Sequence, residues 1–187
     1  MAEDSFPRLV SLACHDLRTP LATIYGFART LTRMEGHDER TARFLGMIEE
    51  AAEQLTGLLD ELGTRARIEG GRWEPVLREA DTLELARGDE DERVAAEGTG
   101  ETIETEVESV QRGLRALAVA AARFGPAERV TWRVSGRELE LSPVTSEAAP
   151  VVAGESMRDL GSLVARSVIE ELGGSVELTG ETLRVRL

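Results

Sequence analysis

The chain has 187 residues, 41% of them hydrophobic, enough for one moderate domain or for a helical module joined to a small sandwich with a real core. Its 35 acidic residues against 22 Lys and Arg leave a formal net charge of -13, which argues against general nucleic-acid binding and against adhesion to anionic lipid. The single cysteine, Cys14, excludes an internal disulfide and a Cys-rich metal site.

The opening Met1-Ala2-Glu3-Asp4-Ser5 has neither a basic start nor an apolar core, so no secretion signal is expected. The longest uninterrupted apolar stretch, Ala116 to Ala122, is too short to cross a bilayer. A cytoplasmic protein without a membrane span is expected, its input arriving from another molecule.

From Leu9 through Leu12, Leu17, Leu21, Ile24, Ala28 and Leu31 the apolar spacing is mostly threes and fours, which predicts a first helix starting near Ser5 and Pro7. Gly36 and Asp38 mark a reversal, the first as a terminator and the second as an N-cap. A second helix from Glu39 to Arg67 repeats the pattern with Phe44, Ile48, Ala51, Leu55, Leu58, Leu62 and Ala66. At 1.5 Å per residue it is about 43 Å long. One such hairpin cannot bury both of its apolar stripes. Two copies packed as a four-helix bundle can, so a homodimer is expected; the alternative cover is the C-terminal domain of the same chain. The paired glycines Gly70 and Gly71 end the helix and place a boundary near residue 73.

Between Glu74 and Glu108 there are 13 acids and three arginines, a composition that predicts a solvated or loosely ordered stretch with a strand at Thr82 to Ala86. Val94 and Ile103 read as strand remnants within it. Glu108 to Phe124 is predicted to be a helix, with Val110, Leu114, Leu117 and Ala121 on one face. Val130 to Val134 and Glu138 to Leu141 alternate as strands about Ser135-Gly136. Met157 to Leu172 is a further helix ended by Gly173-Gly174, and a final hairpin pairs Val176 and Leu178 with Leu183 and Val185 across Thr179-Gly180. These elements predict an α+β fold: a helical hairpin over 1–73 and a two-layer α/β sandwich over 74–187.

The chemistry is concentrated in His15-Asp16-Leu17-Arg18-Thr19-Pro20-Leu21. A histidine ring nitrogen attacks phosphorus only when neutral, and imidazole is the side chain whose protonation balance falls nearest physiological pH. Asp16 either positions that ring or takes its proton. Thr19, four residues on, shares a helical face with His15, and Arg18, three residues on, can reach a phosphate oxygen. Pro20 gives no N–H to the carbonyl of Asp16, so a bend is expected there. Cys14 beside His15 invites a Cys–His pair, but helix neighbours point about 100° apart, and packing is its expected role.

With the flanks Leu12, Leu21, Ile24 and Leu31, these seven residues resemble the H-box of the histidine-kinase dimerisation and phosphoacceptor domain. The resemblance implies that His15 carries a phosphoryl group, that Asp16 assists its transfer, and that Thr19 helps orient water for removing phosphate from a partner. Arg67-Ile68-Glu69-Gly70-Gly71-Arg72-Trp73 is similar to the segment by which that family leaves its hairpin. The later region is similar to the family's ATP-binding domain: Leu160-Gly161 through Gly173-Gly174 looks like its second glycine box and following helix, and Leu114 to Pro126 like the helix of its asparagine box.

The family's ATP site implies an amide side chain for Mg²⁺, an aspartate for the adenine amino group, and glycines that let backbone approach phosphate. Here Ala116 and Ala120 match the amide positions, and the chain has no asparagine or lysine at all. No aspartate-glycine-glycine grouping lies between Leu141 and Leu160, Ser142-Pro143-Val144-Thr145 occupying that region. Asp159 stands where the first glycine of the later motif belongs, and the lid is reduced to a short loop. The expectation is a domain that binds no cofactor tightly and does not phosphorylate His15. Family members of that kind are histidine phosphotransferases, which exchange phosphate with response-regulator receiver domains that supply the Mg²⁺. Docking in such transfer is expected on the hairpin face near His15, with Leu12 and Leu17 as apolar contacts. Three other readings compete: a kinase with a divergent ATP site, a phosphatase acting through Asp16 and Thr19, and a non-catalytic module that binds a regulator.

Overall fold

A computed structural model describes residues 5–34, 36–88 and 92–187. The chain divides into two compact units, Met1–Trp73 and Glu74–Leu187.

The first unit is a helical hairpin of α1 (Ser5–Thr32) and α2 (Glu39–Glu69). Asp38 caps α2, its carboxylate accepting from Thr41 N at 2.7 Å, and so satisfies one of the amides that a helix start leaves without a partner. At the other end the Gly70 N–H returns to the carbonyl of Ala66 and the Gly71 N–H to that of Ile68, and Gly71 takes a φ of 58°, so α2 stops two residues beyond the expected Arg67. The seam between the helices is made of small side chains. Cys14 and Ala28 of α1 and Ala52, Gly63 and Ala66 of α2 are buried, with Leu21 the largest residue among them. Cys14 packs as expected: a Cβ on Gly63 would stand 3.8 Å from the Cys14 Cβ. Because the seam uses small residues, the large ones are left outside it. Leu17, Ile24, Leu55 and Leu58 are each about half exposed.

The second unit begins with β1 (Arg78–Asp81), α3 (Thr82–Arg87), β2 (Val94–Gly100) and β3 (Thr102–Thr105), and continues with α4 (Val107–Phe124), β4 (Val130–Gly136) and β5 (Glu138–Ser142). It ends with α5 (Ala149–Val152), α6 (Leu160–Glu171), β6 (Ser175–Thr179) and β7 (Thr182–Arg186). Five strands form one sheet in the order β2-β4-β5-β7-β6, with β2 parallel to β4 and the other pairs antiparallel; β1 and β3 form a separate antiparallel pair. Trp132, Val134, Leu139, Leu141, Leu183 and Val185 supply the buried sheet face. Leu114, Leu117 and Ala121 of α4 and Val164, Val168 and Ile169 of α6 supply the helical layer. A Cβ on Gly113 would lie 3.1 Å from the Ala165 Cβ, which is why α4 and α6 approach closely there. On the opposite face one row of side chains alternates in charge across the sheet. Glu97 pairs with Arg133 at 3.4 Å, Glu140 stands opposite Arg133 and pairs with Arg184 at 2.9 Å, and Glu177 is opposite Arg184. The α+β architecture, a helical unit followed by a mixed sandwich, is the one the sequence predicts.

Three expectations are corrected. Thr82 to Ala86 is not a strand but lies in α3, because the Asp81 carboxylate accepts from Leu83 N and Glu84 N and so starts a helix. The acidic region is also more ordered than its composition suggests. It supplies β1, α3, β2 and β3, with acids such as Glu97 and Glu101 on exposed positions opposite Arg133 and Arg137. Its residues 89–91 lie outside the described residues, as do residues 1–4 of the opening. The helix expected from Met157 begins at Leu160, where Asp159 caps it.

Candidate functional site

His15 lies on α1 near the middle of the hairpin, and its side chain is 76% exposed. Its Nδ1 is 3.2 Å from Asp16 Oδ1. An ionised carboxylate can only accept, so this contact is a hydrogen bond in the neutral ring when the proton is on Nδ1 and the lone pair on Nε2. Nε2 is then left without the proton, on the side of the ring away from the Asp16 contact.

α1 runs unbroken through Pro20, which has no N–H to return to the Asp16 carbonyl. Thr19 gives its own carbonyl to the Thr23 hydroxyl at 3.1 Å. His15, Arg18, Thr19, Ala22 and Thr23 together line one shallow, open depression on α1. The structure thus brings His15, Asp16, Arg18 and Thr19 to one place, but Arg18 has a partner that the sequence did not indicate. Its Nη2 donates to Asp60 Oδ1 of α2 at 2.6 Å. The one signal for Asp60 was an acid following Leu58-Leu59 in an apolar stripe, and that signal names no partner. Leu12 and Leu17, the expected docking contacts, are more than half exposed beside the site.

In the second unit, Ala120 is 1% exposed and Ala116 is partly buried on α4. Neither methyl group can ligate a metal, and Ala120 is sealed in the helical layer. Val151 and Val152 of the short α5, which packs on α4, are buried as well. Asp159 is occupied as a helix cap, accepting from Ser162 N at 2.8 Å and from Ser162 Oγ at 2.9 Å. These residues do not suit Mg²⁺ and a triphosphate, which need oxygen ligands and backbone donors open to the ligand.

Residues 8–71 match the His Kinase A (phospho-acceptor) domain family. Over 71 residues the chain is 32% identical to the probable sensor histidine kinase TcrY of Mycobacterium tuberculosis, a match covering 38% of this chain and 15% of TcrY. It is 37% identical over 57 residues to the sensor protein DivL of Caulobacter vibrioides, covering 30% of this chain and 7% of DivL. These matches therefore span a small part of each relative. Among solved structures, full-length ShkA in complex with AMPPNP is similar with a TM-score of 0.65 at 20% identity, covering 96% of this chain and 44% of ShkA. The histidine kinase AdeS of Acinetobacter baumannii is similar with a TM-score of 0.55 at 17% identity, covering 92% of this chain and 96% of AdeS. At such identities the likeness is one of fold. The chain thus carries a HisKA-like dimerisation hairpin followed by a histidine-kinase ATPase-like fold, and resembles sensor histidine kinases in architecture.

Proposed function

We propose that this chain is a histidine phosphotransferase of a two-component phosphorelay, working as a homodimer with response-regulator receiver domains as partners. The observation that carries the reading is the contrast between its two units. His15 is exposed, with Nε2 available and Nδ1 held by Asp16, whereas the positions that match the family's metal-binding amides carry Ala116 and the buried Ala120.

In the transfer, the Nε2 lone pair forms a bond to phosphorus as the bond from phosphorus to the aspartyl oxygen of the receiver breaks. The oxygen leaves with its electron pair as a carboxylate, and the Nδ1 proton stays on the ring, held by Asp16. The receiver brings the Mg²⁺ that offsets charge on the moving group. The hairpin face around His15 receives the partner, with Leu12 and Leu17 as apolar contacts. The exposed stripes on α1 and α2 pair with those of a second copy to complete a four-helix bundle. Among the described residues no helix is long and apolar enough to cross a membrane.

A second reading is a sensor histidine kinase with a divergent ATP site. The likeness to TcrY, ShkA and AdeS favours it more directly than phosphotransfer, because these matches point to kinase architecture as such. A non-catalytic module that binds a response regulator shares the same hairpin. One experiment separates the three. The chain is incubated with a panel of phosphorylated receivers and, separately, with labelled Mg·ATP. Acid-labile, alkali-stable label from a receiver, lost in His15→Ala, supports phosphotransfer. Label from ATP supports the kinase, and binding without label supports the docking module.

A further inference from the structure

Arg18 and Asp60 are 42 residues apart in sequence, on α1 and α2, and meet at 2.6 Å. The contact is partly shielded from water, the two side chains being 43% and 35% exposed. Asp60 shares its side of α2 with Thr56, Gly63 and Thr64, the last two buried, and a carboxylate partly withdrawn from water there gains from a cation opposite it. Arg18 also borders the depression it shares with His15 and Thr19. A guanidinium carries five N–H donors, and Nη2 makes the bond to Asp60.

We propose that Asp60 is a positioning residue for phosphoryl transfer at His15: from α2 it fixes the Arg18 guanidinium so that further N–H donors face the oxygens of a phosphoryl group on Nε2. This role rests on His15 being the phosphoacceptor. A long arginine on an open helix face loses rotamer freedom when it must gather itself around an anion. An arginine already tethered through one nitrogen has lost most of that freedom beforehand, and its donors stand where charge develops in the transition state.

Phosphoramidate tests the role with no receiver present. Its P–N bond breaks as Nε2 bonds to phosphorus, and ammonia departs with the electron pair. Loading of the full chain is followed by ³¹P NMR, with thermal unfolding of each variant measured alongside. Asp60→Asn should load His15 about tenfold more slowly, the scale of one charge-assisted hydrogen bond, at little change in half-saturating phosphoramidate. Asp60→Glu should recover most of the rate. The exchange Arg18→Asp with Asp60→Arg should restore thermal stability but not the rate, since the cation then belongs to α2. Should Asp60→Asn unfold, Arg18→Lys takes its place: it keeps a charge for Asp60 but presents no fork, and must slow loading similarly. Wild-type loading in Asp60→Asn or Arg18→Lys overturns the proposal, as does a charge exchange that recovers rate together with stability. A wild-type chain that takes no phosphate from phosphoramidate also overturns it. If no receiver loads His15 while phosphoramidate does so in an Asp60-dependent way, the phosphotransferase reading fails and the role of Asp60 stands.

Discussion

Asp16 and His15 are joined by a contact of 3.2 Å between Oδ1 and Nδ1, which favours the tautomer with its proton on Nδ1. Neighbours on a helix diverge by about 100°, so the Asp16 side chain must bend back toward the ring to make this contact. The bond is exposed and slightly long, so its value lies in orientation more than in stability.

Asp16→Asn removes the ionised acceptor and lets the imidazole take either tautomer. Transfer to His15 should slow roughly ten- to hundredfold, the range of a lost charge-assisted hydrogen bond in a transition state. Rapid-quench measurement under single-turnover conditions reads this directly. An unchanged rate would mean that the ring is oriented by something other than Asp16.

Nucleotide binding should be weak. With Ala116 and Ala120 in place of amides and α5 packed on α4, calorimetry should find no Mg·ATP binding tighter than about 1 mM, or about 4 kcal/mol at standard state. A micromolar dissociation constant would favour the divergent kinase.

Dimerisation should depend on side chains outside the α1–α2 seam. Leu55 is 51% exposed in a single chain and would be covered in a four-helix bundle. Burying a charge there needs desolvation without a partner, so Leu55→Glu should give a monomer or an unfolded chain. Leu55→Ala should cost about 2 to 5 kcal/mol per buried leucine, counted once per subunit. Light scattering should report twice the 20.4 kDa chain mass for the wild type. A wild-type monomer at tens of micromolar would remove the bundle from the account.

The cap at Asp38 carries a pH dependence. Its carboxyl is held below the usual aspartate range, chiefly by the hydrogen bond from the Thr41 backbone N–H and next by the Thr41 hydroxyl. A depressed folded-state value means that the cap's stabilisation is fully present above the unfolded-state value. It is lost as the pH falls through the lower, folded one. Asp38→Ala should therefore lower the helix-melting midpoint at neutral pH, and the gap from wild type should close in strong acid. Circular dichroism melts across that range give the answer, and a gap that stays constant with pH would show that the carboxylate's charge is irrelevant to the cap.

Much of this chain was legible because its signals are local. The threes and fours of α1 and α2, the cap at Asp38, the turns at Gly173 and Gly180 and the grouping around His15 each act within a turn or two of backbone. Their partners therefore lie nearby in sequence. Thr82 to Ala86 misled because a short β-branched and apolar run suits either state alone. The choice was made by Asp81, which caps the helix, and by the Thr82 hydroxyl, which donates to the Gly136 carbonyl 54 residues away and accepts from Glu101 N 19 residues away. The same holds at the site. Residue order placed Arg18 one turn from His15, but only the packing of α1 on α2 tied its guanidinium to Asp60. A helix periodicity says which side a residue faces; which residue of another helix it meets depends on register, set by small side chains such as Cys14, Gly63 and Ala66 in the seam.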